Sequence, residues 1–352
     1  MLKLINLGKS FAGRTVVRNL TLEIIEGELL CLLGPSGCGK TTTLRMIAGL
    51  EAPDTGEIYI EGRRAAANGR NILHPSQRNI GVVFQDLALW PHLTVEGNLR
   101  FILDSPKISG AEKEVRIARA LELANLIEHR KAYPGTLSGG EQQRTAIARA
   151  IVAQPKLLLF DEPLASLDPH LKSDLRQQIK RLHKTLKTTI IYITHDQGEA
   201  FELATRIAVM KDGSVEQVGS SEQIYYQPSS VFVARFVGDA NILEGKIIQN
   251  AACSNSPSQF LAQTPIGMFP LKGPQLAQIE EAVFVIRPED VCIDPNSEIE
   301  AEVEESIFLG GQTVCRARIG EINLRFYSKS SLQGKVRLRV QNVICVGGRV
   351  EK

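Results

Sequence analysis

The stretch Gly34-Pro35-Ser36-Gly37-Cys38-Gly39-Lys40-Thr41 constrains this chain more than any other, because it fits the pattern G-x-x-x-x-G-K-[ST] without a departure. It follows the apolar run Leu29-Leu30-Cys31-Leu32-Leu33 and precedes a helical pattern. In that strand-loop-helix setting the glycines let several backbone N–H groups converge on phosphate oxygens. Lys40 reaches the terminal ones, and the Thr41 hydroxyl is available to Mg²⁺. Since the loop opens a helix, unpaired N–H groups and the helix dipole add to the attraction for anions.

Three further apolar runs each stop at a polar residue suited to phosphoryl chemistry. Ile80 to Phe84 ends at Gln85, Leu157 to Phe160 ends at Asp161-Glu162, and Ile190 to Thr194 ends at His195. Continuous apolar runs of this length read as buried parallel strands, and ligands of such sheets sit outside the carboxyl ends. Gln85, Asp161, Glu162 and His195 are therefore expected on one edge with the Lys40 loop. A polar residue ending one strand is ordinary loop chemistry; four runs ending alike point to a site.

Leu137-Ser138-Gly139-Gly140-Glu141-Gln142-Gln143-Arg144 resembles the LSGGQ signature of ABC transporter ATP-binding subunits, with Glu141 where Gln is commoner. Ser138-x-x-Glu141 is also a capping box, which needs no ligand, and both readings can hold together. The resemblance implies a P-loop ATPase domain with a mostly parallel sheet and a helical subdomain, in which two chains sandwich two Mg-ATP, each signature clamping the γ-phosphate held by its partner. It assigns nucleotide contacts to Gly34, Pro35, Ser36, Gly37, Cys38, Gly39, Lys40, Thr41 and Thr42, and to Ser138, Gly139, Gly140 and Glu141. Phe11 would stack on adenine beside Val16, although a lone Phe is more often core. Thr41, Gln85 and, through water, Asp161 would serve Mg²⁺. Glu162 would polarise the attacking water, His195 would hold the γ-phosphate with Lys40, and Leu164-Ala165-Ser166-Leu167-Asp168 would communicate across the dimer. Such a site works by positioning and electrostatics.

The 352 residues leave room for two domains, and 43% hydrophobic content is ordinary for a globular chain. No apolar run approaches the eighteen or so residues that span a bilayer, and Met1-Leu2-Lys3-Leu4 lacks a signal-peptide layout. Six cysteines without zinc or C-x-x-C spacing suit a reducing compartment. Cys38 lies where a thiol pKa could fall, or is simply a small residue fitting the turn. A net charge of +2 gives no reason to expect nucleic acid.

The texture changes near Phe236-Val237-Gly238-Asp239, giving an expected ATP-binding domain over 1–236 and a second domain over 237–352. Within the first, Ala111 to Arg130 reads as helix in an insert spanning about 88–154, and Leu171 to Lys187 as another helix. Beyond, Ile299 to Val303, Val314 to Ile319 and Val336 to Val340 alternate with period two, punctuated by Gly310-Gly311 and Gly347-Gly348, which reads as a small antiparallel barrel. Arg316, Arg318, Arg325, Arg337 and Arg339 form either a solvated outer face or a face for an oxyanion or nucleic acid. Ile286-Arg287-Pro288-Glu289-Asp290 and Phe308-Leu309-Gly310 resemble the OB-like TOBE regulatory domain of importer ATPases for maltose, polyamines, sulfate and ferric ion.

The resemblance thus implies a homodimeric ATPase on the cytoplasmic face of the membrane, energising a permease fed by an extracytoplasmic solute-binding protein. An exporter subunit or a non-transport ABC ATPase is the alternative. Ala88-Leu89-Trp90-Pro91-His92 resembles the variant common in ferric-iron and related anion importers, and Trp90 either lines the groove for a permease helix or belongs to the core.

Overall fold

The structure is a computed structural model that describes residues 1–104, 108–165, 167–249, 260–271 and 279–346. Ser166 and Gly347-Gly348 lie outside the described residues. Two compact units divide the chain, Met1–Ser221 and Glu222–Lys352.

The first unit opens with an antiparallel sheet that apolar runs alone did not announce. Strands Leu2–Phe11, Arg14–Ile24, Thr55–Ile60, Arg63–Ala67 and Arg70–Asn71 pair so that Arg14–Ile24 is one edge and Leu2–Phe11 lies between it and Thr55–Ile60. The turn Asn68-Gly69, with φ of 41° and 83°, is a two-residue loop of the twist that suits a hairpin. A second sheet carries the expected parallel strands in the order Ser214–Gly219, Arg206–Lys211, Leu29–Leu33, Thr189–Thr194, Leu157–Asp161, Ile80–Val83. Only Ser214–Gly219, an edge strand, runs antiparallel to its neighbour.

Alternate residues Leu30, Leu32, Leu157, Leu159, Ile191 and Ile193 on one face of the parallel sheet share a core with Leu2, Leu4, Leu20, Ile58 and, from the helix Lys40–Ala48, Leu44 and Ile47. That is why the strands read as continuous apolar runs: they are buried on both faces. The helix Pro169–Leu186 matches the expected 171–187 segment closely. The expected helix over 111–130 instead spans Gly110–Leu123, because Asn125 adopts φ 53° and turns the chain away. It joins Val95–Ile102 and Gly139–Ile151 in the helical insert. Glu96 and Glu114 tie these helices to Arg100 and Arg130, and the Arg130 guanidinium in particular pulls the Glu96 carboxyl down to about 2.

The second unit contains two five-stranded antiparallel sheets. Phe269, Phe284 and Ile286 of one and Ala317, Leu324, Phe326 and Leu338 of the other share one core. It begins before the texture change near residue 236, because buried Arg287 binds the helices Ser221–Tyr226 and Val231–Phe236 to it. The Arg287 guanidinium donates to the carbonyls of Tyr225, Ala234, Gly238 and Asp239 at 2.8–3.3 Å and lies 4.1 Å from the Tyr225 ring centroid.

The alternating arginines are paired. Arg316 meets Glu305, Arg318 meets Glu302 and Glu304, Arg325 meets Asp239, Arg339 meets Asp294, and Arg337 donates to the Pro295 carbonyl. This favours the solvated outer face over an oxyanion or nucleic-acid face, since each guanidinium already has an oxygen partner.

A comparable arginine braces the first unit. Arg78 is buried and donates to Met46 O at 2.8 Å, Ile47 O at 2.7 Å, Ala65 O and Leu73 O at 3.2 Å, and Asn71 Oδ1 at 2.9 Å. Burial pushes its guanidinium down to about 10. It supplies donors to the carbonyls at the end of the helix Lys40–Ala48, sharing Met46 O with the Gly49 N–H. Arg78→Met should therefore lower stability by roughly 2–4 kcal/mol in urea denaturation, the scale of one or two lost charge-assisted bonds; an unchanged midpoint would mean these carbonyls find water instead.

Candidate functional site

The parallel register sets the site. Leu33 pairs with Thr194 and Ile193 with Asp161, while Val83 pairs with Phe160, so the carboxyl ends of four strands stand level. Gly34, His195, Glu162 and Gln85 follow within two residues of those ends, as expected for the crevice outside a parallel sheet.

The loop between Leu33 and the helix Lys40–Ala48 folds tightly against its surroundings. Gly39 has φ 99°, and a Cβ there would lie 2.6 Å from the Val16 carbonyl oxygen, so only glycine fits. Val16 thus meets the loop through its backbone, while its side chain is half-buried against the core. Lys40, though buried, projects its ammonium into the loop, donating to Gly34 O at 2.7 Å and Pro35 O at 3.0 Å, with Cys38 Sγ at 3.9 Å. Cys38 is itself buried, and desolvation raises its thiol pKa even with the Lys40 charge beside it, which favours the reading of a small residue fitting the turn.

Two polar pairs lie along this edge. The Thr41 hydroxyl donates to Asp161 Oδ1 at 3.0 Å, and burial raises the Asp161 carboxyl against the lowering effect of that bond. His195 Nδ1 lies 3.0 Å from Glu162 Oε2. An ionised Glu162 can only accept, so in that pairing the Nδ1 nitrogen carries the proton. Glu162 holds φ 44°, an unusual backbone for a non-glycine residue. Its amide donates to Ile193 O at 3.1 Å, fixing it against the strand that ends at Thr194.

Phe11 is 43% exposed with the Lys9 ammonium 5.2 Å from its ring centroid, so it is a presented ring and not a core residue. Gln85 is exposed just beyond Ile80–Val83. Ser138 does cap its helix: its side chain accepts from Glu141 N at 3.4 Å, and Glu141 Oε2 accepts from Ser138 N at 2.8 Å. A Cβ on Gly140 would lie 2.6 Å from Leu171 Cδ1, and one on Gly139 3.6 Å from Leu167, so the signature glycines pack against the segment around Asp168. Asp168 caps its own helix, accepting from Leu171 N at 3.0 Å.

The segment after Gln85 is unusual. Leu87 and Ala88 have φ of 58° and 47°, and the carbonyls of both accept from Arg149, a buried residue of the signature helix. Nothing in a helical pattern marks Arg149 as different from a surface arginine, so sequence reasoning missed it. Buried Asn98 holds the next turn, accepting from Trp90 N and donating to the carbonyls of Trp90, Leu93 and Thr94.

A G-x-x-x-x-G-K-[ST] loop, a buried acidic strand end and a Glu–His pair share one sheet edge, the layout expected of a P-loop ATPase. Residues 17–165 match the ABC transporter family, and residues 284–347 match the TOBE domain. Among similar proteins, the Fe(3+) ions import ATP-binding protein FbpC of Fusobacterium nucleatum is 40% identical over 89% of this chain and 81% of its own length. The spermidine/putrescine import ATP-binding protein PotA of Bacillus cereus is 44% identical over 79% and 82%. The trehalose/maltose import ATP-binding protein MalK of Thermococcus litoralis is 39% identical over 96% and 94%. The dimeric structure of the bacterial ABC transporter cassette MJ0796 superposes with a TM-score of 0.56 at 34% identity, covering 63% of this chain and 99% of that one. A post-hydrolysis state of the same cassette bound to ADP and Pi gives 0.55. The chain belongs to the ATP-binding subunits of ABC importers that carry a TOBE domain. Among the described residues no helix is long and apolar enough to cross a membrane.

Trp90 is not a fully buried core residue. It is half-buried, 4.5 Å from the Phe101 ring centroid and 5.1 Å from the Arg149 guanidinium carbon. Trp90→Ala should cost the isolated subunit about 1–3 kcal/mol, from the lost aromatic and cation–π contacts. A loss of roughly 3–5 kcal/mol in a denaturant titration would instead mark a true core position.

Proposed function

We propose that two copies of this chain enclose two ATP molecules and that hydrolysis drives solute import through a partner permease. The observation that supports this most is the pairing of Glu162 with His195 beside the Thr41–Asp161 pair at the end of the Lys40 loop. In this reading the loop amides from Gly34 to Thr42 and the Lys40 ammonium bind the phosphates, while Phe11 stacks on the adenine near Val16. Ser138, Gly139, Gly140 and Glu141 face the partner's γ-phosphate, and Asp168 lies across the dimer seam. Glu162 takes the proton of the attacking water, and His195 orients the γ-phosphoryl group.

Mg²⁺ fits the donor set. The Thr41 hydroxyl and Asp161 carboxylate are hard oxygen donors held together, and Gln85 is exposed at the same edge. Among the described residues no three His, Cys, Asp or Glu gather to cage a metal, which suits an ion that keeps waters and shares phosphate oxygens. When bound, the ion would neutralise charge on the phosphates; Thr41 would hold it directly and Asp161 through water.

The relatives' different cargoes, ferric ion, polyamines and trehalose or maltose, name no single solute for this chain. The segment Asp86 to His92 is proposed as the groove for a permease helix at the cytoplasmic face, with a solute-binding protein acting from the far side. The second unit is proposed as regulatory, acting on the dimer and not on ATP contact.

Glu162→Gln should lower ATP turnover by roughly 10² to 10⁴-fold while ATP binding survives and closed dimers accumulate. Near-normal phosphate release by that variant would overturn the assignment of the base. The shared site has its own test. Mixed dimers of Lys40→Ala and Ser138→Arg chains place both defects in one composite site and leave the other intact, so they should hydrolyse ATP faster than either parent homodimer. Verified mixed dimers without recovery would mean that Ser138 is only a helix cap or that turnover needs both sites.

A further inference from the structure

His195 belongs to no helix or strand. Thr194 ends the strand before it, and Asp196 caps the helix Gln197–Leu203 after it. What fixes the residues on either side is a closed chain of hydrogen bonds. The Asp196 N–H donates to Thr194 Oγ1 at 2.9 Å, and the Thr194 hydroxyl donates to Glu199 Oε2 at 2.8 Å. The Tyr192 hydroxyl donates to the same oxygen at 3.0 Å, and the Glu199 N–H returns to Asp196 Oδ1 at 3.1 Å.

Glu199, Thr194 and Tyr192 are all buried, Glu199 to 2% exposure. A carboxylate is an unusual group to bury for packing alone, because desolvation costs several kcal/mol unless hydrogen bonds and a counter-charge offset it. Here Lys172 Nζ, on the helix that Asp168 caps, lies 4.0 Å from Glu199 Oε1. An ionised carboxylate accepts and never donates, so one oxygen can take both hydroxyl protons. Thr194 has a single proton; with that proton given to Glu199, its lone pairs face the Asp196 amide. The charge on Glu199 therefore sets the direction of the two hydroxyl bonds, while the Asp196 and Glu199 amides can only donate. Burial, then the Glu199 charge, pushes the Tyr192 phenol well above its ordinary range, which keeps it a donor.

We propose that Glu199 is a positioning residue for His195: through Thr194 and Asp196 it fixes the turn that brings His195 Nδ1 to within 3.0 Å of Glu162. The inference rests on the reading of Glu162 and His195 as the hydrolytic pair. Glu199 itself touches no reacting atom. Its influence comes from holding both flanking residues, and displacements of about an ångström at such a centre cost rate on the order of 100-fold.

The test uses the full-length chain with steady-state ATPase kinetics, fluorescent-nucleotide affinity and thermal melts measured together. Glu199→Gln keeps the shape but turns an amide donor toward Lys172 or toward the two hydroxyls. It should lower kcat roughly 10- to 100-fold while KM and nucleotide affinity stay within about twofold. Thr194→Val, which breaks the relay, should match it, and Thr194→Ser, which restores the hydroxyl, should recover most of the rate. Because the three residues act as one unit, the Glu199→Gln/Thr194→Val double variant should be little slower than either single.

A wild-type kcat in Glu199→Gln overturns the proposal, as do additive losses in the double variant or losses shared equally by kcat and nucleotide affinity. Should Glu199→Gln fail to fold, the Thr194→Val and Thr194→Ser pair decides the matter alone. Glu162→Gln and His195→Ala are run alongside. If they hydrolyse normally, the reading of the hydrolytic pair fails. If they are inactive while Glu199→Gln and Thr194→Val are not, only the role of Glu199 fails.

Discussion

The level register of Leu33, Thr194, Asp161 and Val83 is the constraint on which the proposed chemistry of this chain depends. A parallel sheet lets strands distant in sequence finish at one height, and each strand end can then present a single polar residue to a common crevice. Thr41 meets Asp161 across 120 positions of sequence, and His195 meets Glu162 across 33. Neither contact follows from local structure. Both follow from the order of strands in the sheet, with Leu29–Leu33 inserted between Thr189–Thr194 and Arg206–Lys211. A slip of one residue in any pairing would turn each side chain of that strand to the opposite face and dismantle the site and the core together.

In both units the chain uses buried arginine to serve backbone carbonyls and not to pair with acids. Arg78 closes the end of the helix after the phosphate loop, Arg149 grips Leu87 and Ala88 beyond Gln85, and Arg287 fastens two helices to the second unit. Burial lowers the pKa of all three guanidinium groups. The guanidinium suits this work because it offers five donors in a rigid fork and remains charged despite burial. Each one gathers several backbone carbonyls at an irregular junction and so fixes it.

What could be read from the sequence divides along the same physical line. Leu29 to Leu33 and Leu157 to Phe160 were legible as strands because burial on both faces removes every polar residue from them. The residues ending them were legible because a polar side chain after such a run has few structural reasons to recur. The strands Leu2–Phe11 and Arg14–Ile24 were not, since bulges shift their register and break the alternation that marks a half-buried strand. Asn125 ended a helix that propensity would have continued, through a left-handed turn that asparagine tolerates. The unit boundary was displaced because Arg287 reaches back to carbonyls some fifty positions earlier, a contact no composition shift records. Glu199 and Tyr192 stood in plain segments, and only their shared burial reveals that one oxygen holds two hydroxyls.

The clamp on the segment after Gln85 has a spectroscopic consequence. Trp90 is the only tryptophan in 352 residues, and its indole touches both the Phe101 ring and the Arg149 cation that also grips Leu87 and Ala88. Light excited in indole at wavelengths that spare tyrosine is emitted from this one junction, where the signature helix meets the exit from the parallel sheet. The chain thus carries its own fluorophore at this junction, with a charged neighbour whose movement would alter the colour and lifetime of the emission.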